Sequence, residues 1–497
     1  MTPELDWLKR WSLYSPNAVA LQSGEDGSCI TYAQLYRQSC AVAQHLRERF
    51  AIEPGDRVAC LAQNELEYVA LFFALQRLGA ILVPINFRFT SAEVGHVVHD
   101  CGAKLLIAQQ AFWSVAQSTN VNLWSFDGPE SLVALVGHRI ESREIPFTAE
   151  FEDPCMILYT SGTTGFPKGA VISHRMVYWN SINTGLRLNL TQNDVVLTFL
   201  PLFHTGGWNV LTTPCLHRGA KVVLLRKFDA GLVLNLCASE KVSVLFGVPT
   251  TMDLLQQNPI YASVDLRSIR YAIVGGEPMP VELIRLWEAR GIPIRQGYGL
   301  TEFGPNVFSL NQGDSQRKMG SIGFPNFYID ARVVNDQGED LPAGEVGELI
   351  LRGPVAMSGY WQNPKATAET LRDGWLYTGD LVRRDSEGYF FVVGRKKEMF
   401  ISGGENVYPA EVEKVLRGFS GVREAAVIGV PHPKWGESGR AFLSSTDGAE
   451  LDRERLREHC AQLLAKFKIP QEFVFLPDLP KTESGKIAKK SLARLAL

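Results

Sequence analysis

Several things are missing from this chain, and each gap closes off a class of function. No apolar run reaches the roughly 20 residues that a membrane-spanning helix needs. The stretch 68–75 is among the most apolar and is far too short. The first residues, Met1-Thr2-Pro3-Glu4-Leu5-Asp6, are acidic, and no signal-peptide core follows them. An excess of one charge is also lacking. Fifty Lys and Arg against 53 Asp and Glu leave a net charge of −3, so no large basic surface for nucleic acid is expected. The eight cysteines, at 29, 40, 60, 101, 155, 215, 237 and 460, are scattered and form no CxxC pair. A disulfide framework or zinc site is therefore not expected; reduced, mostly buried thiols in a cytoplasmic protein are. No internal repeat, low-complexity tract or long linker is present, so any hinge between domains must be short. No GxSxG elbow offers a nucleophilic serine.

What is present is a globular composition, 45% hydrophobic and 21% charged, spread over 497 residues. Single cores stop growing near about 250–300 residues, so at least two domains are expected. The first part alternates strand and helix signals: strand 57–61, helix 65–78, strand 81–83, a helix capped by Ser91 and running to 99, and strand 104–108. The alternation resumes with strands at 195–199, 221–225, 242–246 and 270–274, and helices at 229–239 and 280–288. Repeated βαβ units imply mostly parallel, doubly wound sheets with helices on both faces. Ligands in such sheets bind at the carboxyl ends of strands. After about residue 323 the pattern changes to antiparallel strands, at 331–334, 348–352 and 388–393, expected to form a small β-barrel-like subdomain. A smaller α+β unit begins at 397, with helices at 409–418 and 452–467 and a strand at 425–430. The expected division is 1–396, an N-terminal α/β domain, and 397–497, a small mobile C-terminal domain.

The strongest local signal is Tyr159-Thr160-Ser161-Gly162-Thr163-Thr164-Gly165-Phe166-Pro167-Lys168-Gly169, which follows the apolar run 156–159. Glycines there allow tight turns, hydroxyls and amides can cradle phosphate oxygens, and Lys168 adds a cation. It is not a Walker A loop, which needs GxxxxGK followed by Ser or Thr. Gly165 is followed by Phe166-Pro167, and Gly485-Lys486 has Pro480 in place of the first glycine and Ile487 after the lysine. Further motifs follow in order. They are Pro201-Leu202-Phe203-His204-Thr205-Gly206-Gly207, Gly275-Gly276-Glu277-Pro278 and Gln296-Gly297-Tyr298-Gly299-Leu300-Thr301-Glu302. Then come Tyr377-Thr378-Gly379-Asp380, Gly394-Arg395-Lys396-Lys397-Glu398, Ser402-Gly403-Gly404-Glu405-Asn406 and Pro480-Lys481-Thr482-Glu483-Ser484-Gly485-Lys486. From about Ile30 to Ile487 the chain resembles the acyl- and aryl-CoA synthetase branch of the adenylate-forming superfamily. That superfamily also holds the adenylation domains of peptide synthetases and the beetle luciferases.

The resemblance implies an enzyme that uses ATP and Mg²⁺ to activate a carboxylic acid as acyl-AMP and passes the acyl group to coenzyme A. It implies that Thr160–Thr164 and Lys168 hold the phosphates and that Tyr298 stacks on adenine. Gly275, Gly276, Glu277 and Pro278 shape the slot beside that ring. Gln296, Gly297 and Gly299 complete the nucleotide site, and Thr301 donates to the α-phosphate. Glu302, with Thr164, holds Mg²⁺, a hard cation that prefers oxygen. Asp380 takes both ribose hydroxyls, and Arg395 lies near ribose or phosphate. Lys486 meets the carboxylate and α-phosphate as charge builds; Lys489 and Lys490 read as solvated tail lysines. His204 gates the acyl pocket, lined by Gly207, Trp208, Gly299, Phe303 and Gly304. Lys397 is the hinge, where many members carry Asp and others Lys. Ser402, Gly403 and Gly404 form a nearly side-chain-free strip for pantetheine.

The first step needs no protein nucleophile: a carboxylate oxygen attacks the α-phosphorus and pyrophosphate leaves. The second, thiol attack on the acyl carbonyl, needs a different surface over the same group, hence the mobile C-terminal domain. Around His204–Trp208 and Phe303-Gly304-Pro305-Asn306 no Lys or Arg awaits a second carboxylate, and no Asp an amino group. That disfavours dicarboxylates and amino acids. A medium or long fatty acid is favoured, with an aryl acid of the cinnamate type as the alternative. Transfer to a carrier protein or an amine, a luciferase-like oxygenase and a catalytically dead nucleotide-binding regulator are the competing readings. A homodimer is left open.

Overall fold

The computed structural model describes residues 4–137, 143–160, 167–446, 451–481 and 487–495. The chain divides into two compact units, one of residues 1–331 and 351–376, the other of residues 332–350 and 377–497.

The first unit carries two sheets. In the larger, the strands run in the order Phe324–Pro325, Phe308–Ser309, Ile294–Tyr298, Tyr271–Val274, Val244–Gly247, Val195–Thr198, Lys221–Leu224, Val19–Ser23, Cys29–Thr31. The middle of this sheet is parallel; it turns antiparallel at both ends, from Ile294–Tyr298 outward and at Cys29–Thr31. The second sheet has the order Gly359–Tyr360, Lys168–Ser173, Pro154–Thr160, Ile81–Pro84, Arg57–Leu61, Leu105–Ala108, Leu123–Ser125. The helix Leu66–Leu78 buries every residue except Glu67. Such all-round burial needs an almost wholly apolar sequence, and its two buried polar members, Gln76 and Arg77, need partners. Arg77 has two: its guanidinium meets Asp6 at 2.9 Å and the Ile145 carbonyl at 2.8 Å.

The expected strands and helices of this unit are present, with one correction. The cap of the helix Ser91–Cys101 is Thr90, not Ser91; Thr90 and Glu93 bond each other's backbone in a capping box. The helices Tyr32–Phe50 and His174–Leu188 and the strand Ile294–Tyr298 were not anticipated.

Trp375–Arg384, which lies in the second unit from Tyr377 on, and Phe390–Arg395 form an antiparallel hairpin that pairs Asp380 with Arg395. Beyond it the strands run Glu405–Val407, Phe400–Ser402, Gly436–Ser445, Val422–His432, and Glu472–Phe475 adds in parallel to Gly436–Ser445. Val412, Leu416, Leu456 and Cys460, from the helices Pro409–Arg417 and Arg453–Leu463, join the core of that sheet. All eight thiols are free and only Cys29 is exposed. Among the described residues no helix is long and apolar enough to cross a membrane.

Candidate active site

Two motifs meet because their strands are neighbours. Tyr271–Val274 and Ile294–Tyr298 run parallel with Val274 opposite Gln296. Gly275-Gly276-Glu277-Pro278 leaves the carboxyl end of the first, and Gly299-Leu300-Thr301-Glu302 leaves that of the second. Gly276 has φ +85°, a conformation that favours glycine. Gln296 is buried, and its Oε1 has no hydrogen-bond partner among the described residues. The half-buried Tyr298 ring lies edge-on to Phe308, with centroids 5.8 Å apart. At Gly299 a Cβ would come within 2.0 Å of the Pro305 carbonyl oxygen, so the turn itself demands glycine. Thr301–Phe303 is a single 3-10 turn that sends Phe303 into the core and leaves Thr301 and Glu302 half-buried.

The phosphate-loop candidate is the mouth of the hairpin formed by Pro154–Thr160 and Lys168–Ser173, where Thr160 faces Lys168 across the ladder. Ser161, Gly162, Thr163 and Thr164 lie outside the described residues. The stem is clamped: the Tyr159 hydroxyl donates to Asp100, and burial pushes that phenol's pKa up. Lys168 Nζ sits 5.5 Å from the Tyr360 ring centroid, and the Tyr360 hydroxyl donates to Glu302 Oε1 at 2.9 Å. Two expected phosphate-end residues are thus joined through a tyrosine the sequence reading did not single out.

The expected acyl-pocket residues divide. His204 is half-buried with its ring against Phe203, 4.5 Å between centroids, at the entrance to a π-helical turn, Gly206–Val210. At Gly207 a Cβ would lie 2.3 Å from the Pro201 carbonyl oxygen, so backbone packing requires this glycine. Trp208 is fully buried, with its ring between Tyr68 and Phe72 at 5.7 and 4.9 Å. At Gly304 a Cβ would stand 3.2 Å from Asn180 Oδ1. There lies a buried set of amides of which the sequence reading named only Asn306, as part of the pocket wall. Asn180 Nδ2 donates to the Asn209 carbonyl at 2.7 Å, and Asn306 Nδ2 to Thr184 Oγ1 at 2.7 Å and the Val210 carbonyl at 3.0 Å. Asn326 Nδ2 donates to the Asn306 carbonyl at 2.7 Å, and Asn183 Oδ1 accepts from the Tyr328 backbone at 3.0 Å. Asn180 Oδ1, Asn183 Nδ2 and Asn326 Oδ1 are left without hydrogen-bond partners among the described residues. The available signal was the run Asn180-Ser181-Ile182-Asn183-Thr184, polar and yet mostly buried in the helix His174–Leu188.

The second unit holds the remaining residues. Asp380 is 5% exposed and ion-paired with Arg395 Nε at 2.8 Å; Arg395 also donates to the Thr378 carbonyl at 3.3 Å. Lys397 is exposed; partial desolvation, then the nearby Arg395 charge, lowers its pKa. Gly403 and Gly404, at φ +63° and +88°, form the two-residue turn between Phe400–Ser402 and Glu405–Val407. Positive φ at both positions is what a type I′ hairpin requires. A Cβ at Gly403 would also meet the Trp435 ring at 2.6 Å. Ser402 is buried. Lys486 lies outside the described residues. Lys489 is not a solvated tail residue: its ammonium lies 2.8 Å from both Glu398 and Glu413. Burial pulls its pKa down, and the two carboxylates more than offset this, leaving it raised.

The class to which this arrangement of glycine-rich motifs on strand ends belongs is given by its relatives. The profile of the AMP-binding enzyme family matches residues 8–361, and that of the AMP-binding enzyme C-terminal domain matches residues 411–486. The chain belongs to this family. It is 40% identical to a feruloyl-CoA synthase of an Amycolatopsis species over 98% of both chains. It is 34% identical to a long-chain-fatty-acid–CoA ligase of Mycobacterium tuberculosis over 98% of this chain and 97% of the relative. Among solved structures, the o-succinylbenzoate CoA synthetase of Bacillus subtilis, in complex with its acyl-adenylate intermediate, matches with TM-score 0.91. It is 31% identical, over 99% of this chain and 98% of that one. Within its family this chain is an AMP-forming acid–thiol ligase of the adenylate-forming superfamily, which uses ATP, Mg²⁺, coenzyme A and a small carboxylic acid.

Proposed function

We propose that the acid is an aryl acid of the cinnamate type bearing an oxygen substituent on its ring. The observation that carries this reading is the buried amide set beside Gly304. Leaving a buried donor or acceptor unpaired costs about 1–3 kcal/mol, and an alkyl chain has nothing to pair with it. A ring hydroxyl can donate to Asn180 Oδ1 or accept from Asn183 Nδ2. The 40% identity to a feruloyl-CoA synthase supports the same choice, against the fatty acid that sequence favoured.

The residue roles follow the motifs. Lys168 and the hydroxyls of 160–164 hold the phosphates, Tyr298 packs on adenine beside Gly275–Pro278, and Thr301 donates to the α-phosphate. The Glu302 carboxylate suits Mg²⁺, which is commonly bound by one or two carboxylates together with substrate phosphates. The ion supplies charge neutralisation as pyrophosphate departs. Asp380 takes the ribose hydroxyls, with Arg395 beside it. Lys486 stabilises charge as the anhydride forms, and the C-terminal domain, 397–497, pivots at Lys397 to expose the acyl carbonyl to the thiol. His204 stands at the mouth of the acyl pocket, and Gly403-Gly404 offers the thiol's arm a bare strip.

The test compares kcat/KM for 4-hydroxycinnamate, cinnamate and octanoate, followed as acid-dependent pyrophosphate release. The expected order is as written, with at least about a tenfold drop on losing the hydroxyl, as for one lost hydrogen bond to a buried group. Asn180→Leu should narrow the gap between the first two. Octanoate ahead of both, or no response to Asn180→Leu, would overturn the reading.

A further inference from the structure

Tyr360 belongs to none of the motifs that define the nucleotide site, yet it touches two of them. It sits on the two-residue strand Gly359–Tyr360, which pairs antiparallel with Lys168–Ser173, Tyr360 opposite Ala170. This stretch is held on several sides. Met357 N–H donates to the Glu302 carbonyl at 2.9 Å, and Trp361 N–H to the Gly169 carbonyl at 2.7 Å. Trp361 Nε1 reaches the Asp100 carbonyl at 3.2 Å, and Tyr360 N–H meets Thr367 Oγ1 at 2.9 Å. Gly359 is a glycine because its φ is +140° and a Cβ would come within 2.9 Å of the Thr367 methyl. One short segment therefore fixes the backbone of Glu302 and the backbone just after Lys168.

From this platform the Tyr360 side chain does two things. Its hydroxyl bonds Glu302 Oε1 at 2.9 Å, and its ring lies 5.5 Å from Lys168 Nζ, within range of a cation–π attraction. A hydrogen bond to one carboxylate oxygen restricts the rotation of the group and so orients both of its oxygens. Partners of this kind tune the ligands they hold. We propose that Tyr360 is a positioning residue for the phosphate end of the site, orienting Glu302 toward the divalent cation of Mg·ATP and holding Lys168 beside it. This rests on the reading of Glu302 as the magnesium carboxylate.

The test titrates Mg²⁺ at fixed ATP and follows the nucleotide-dependent rise in melting temperature, with no acid or coenzyme A present. Tyr360→Phe keeps the ring and removes the hydroxyl. The Mg²⁺ concentration for half-maximal effect should rise about tenfold, the lower end of losses seen when an outer-shell partner is removed. The ligand-free melting temperature and the response to ATP with EDTA should match the wild type, which a merely structural role would not predict. Glu302→Gln is run in parallel. A wild-type Mg²⁺ response in Tyr360→Phe together with a shifted one in Glu302→Gln overturns the proposal and spares the Glu302 reading. A wild-type response in Glu302→Gln overturns both.

Discussion

His174 is buried and His217 is half-buried, both as neutral imidazoles. Burial lowers their pKa values to about 4 and about 3, against a small opposing effect of Asp153 on the first and with help from Arg218 on the second. His217 stacks on Trp7 at 3.8 Å and bonds Ser181 Oγ at 2.7 Å. Above the ordinary histidine pKa of about 6.5 both states are neutral and the stability is fully present. Below it the unfolded chain takes up protons that the native chain refuses, so stability falls with falling pH until the native pKa values are reached. The slope is at most about 1.4 kcal/mol per pH unit for each histidine. Urea midpoints measured from about pH 7 down to about pH 5 should therefore drop, and less steeply in His217→Gln. A midpoint independent of pH, or an equal drop in the variant, would contradict this burial. Residue chemistry of this kind was only partly legible in sequence. Glu302 and Asp380 stood out because their motifs are contiguous. Asn180 and Asn209 did not, and Asn306 was read only as part of the pocket wall, because a cluster assembled from three distant segments leaves no spacing to read.

Elements were legible where a single force dominates them. The strand Arg57–Leu61 and the helix Leu66–Leu78 are so apolar that burial alone selects them. Ile294–Tyr298 hid because Arg295, Gln296 and Gly297 resemble a loop. Arg295 is nevertheless buried, donating to the Leu310 and Arg187 carbonyls at 3.0 and 3.1 Å, and burial lowers its pKa to about 10. The C-terminal helix Lys489–Leu495 was misread for the opposite reason. A lysine near a chain end looks solvated, yet Lys489 docks this helix on Glu398, from the turn Lys396–Glu398, and on Glu413 of Pro409–Arg417. Lys489→Met would leave two carboxylates facing each other without a cation. Because the group is only partly buried, the expected loss is discounted to about 1–3 kcal/mol. Urea unfolding of the variant should show it, and Lys489→Arg should recover most of it. A Lys489→Met variant as stable as the wild type would mean that the triad contributes nothing.

At the scale of the whole molecule, the family profiles cover the chain in two blocks, 8–361 and 411–486. The residues of the proposed site, hinge and pantetheine strip are divided as well. Gly275–Pro278 and Gln296–Glu302 belong to the first compact unit, while Asp380, Arg395, Lys397 and Gly403-Gly404 belong to the second. Such a division suits two half-reactions that use one acyl group in turn. On the proposed roles Lys486 has work only in the first, its charge being needed while the anhydride forms. On the same proposal Lys397 is the pivot: Lys397→Pro locks φ and should block passage between the two steps. The most direct test is single-turnover kinetics of each half-reaction in Lys486→Ala. Formation of acyl-AMP should slow by on the order of a hundredfold or more, the typical cost of losing one preorganised charge. Preformed acyl-AMP with coenzyme A should still yield thioester at close to the wild-type rate. An equal loss in both steps would contradict the alternation of two surfaces over one site.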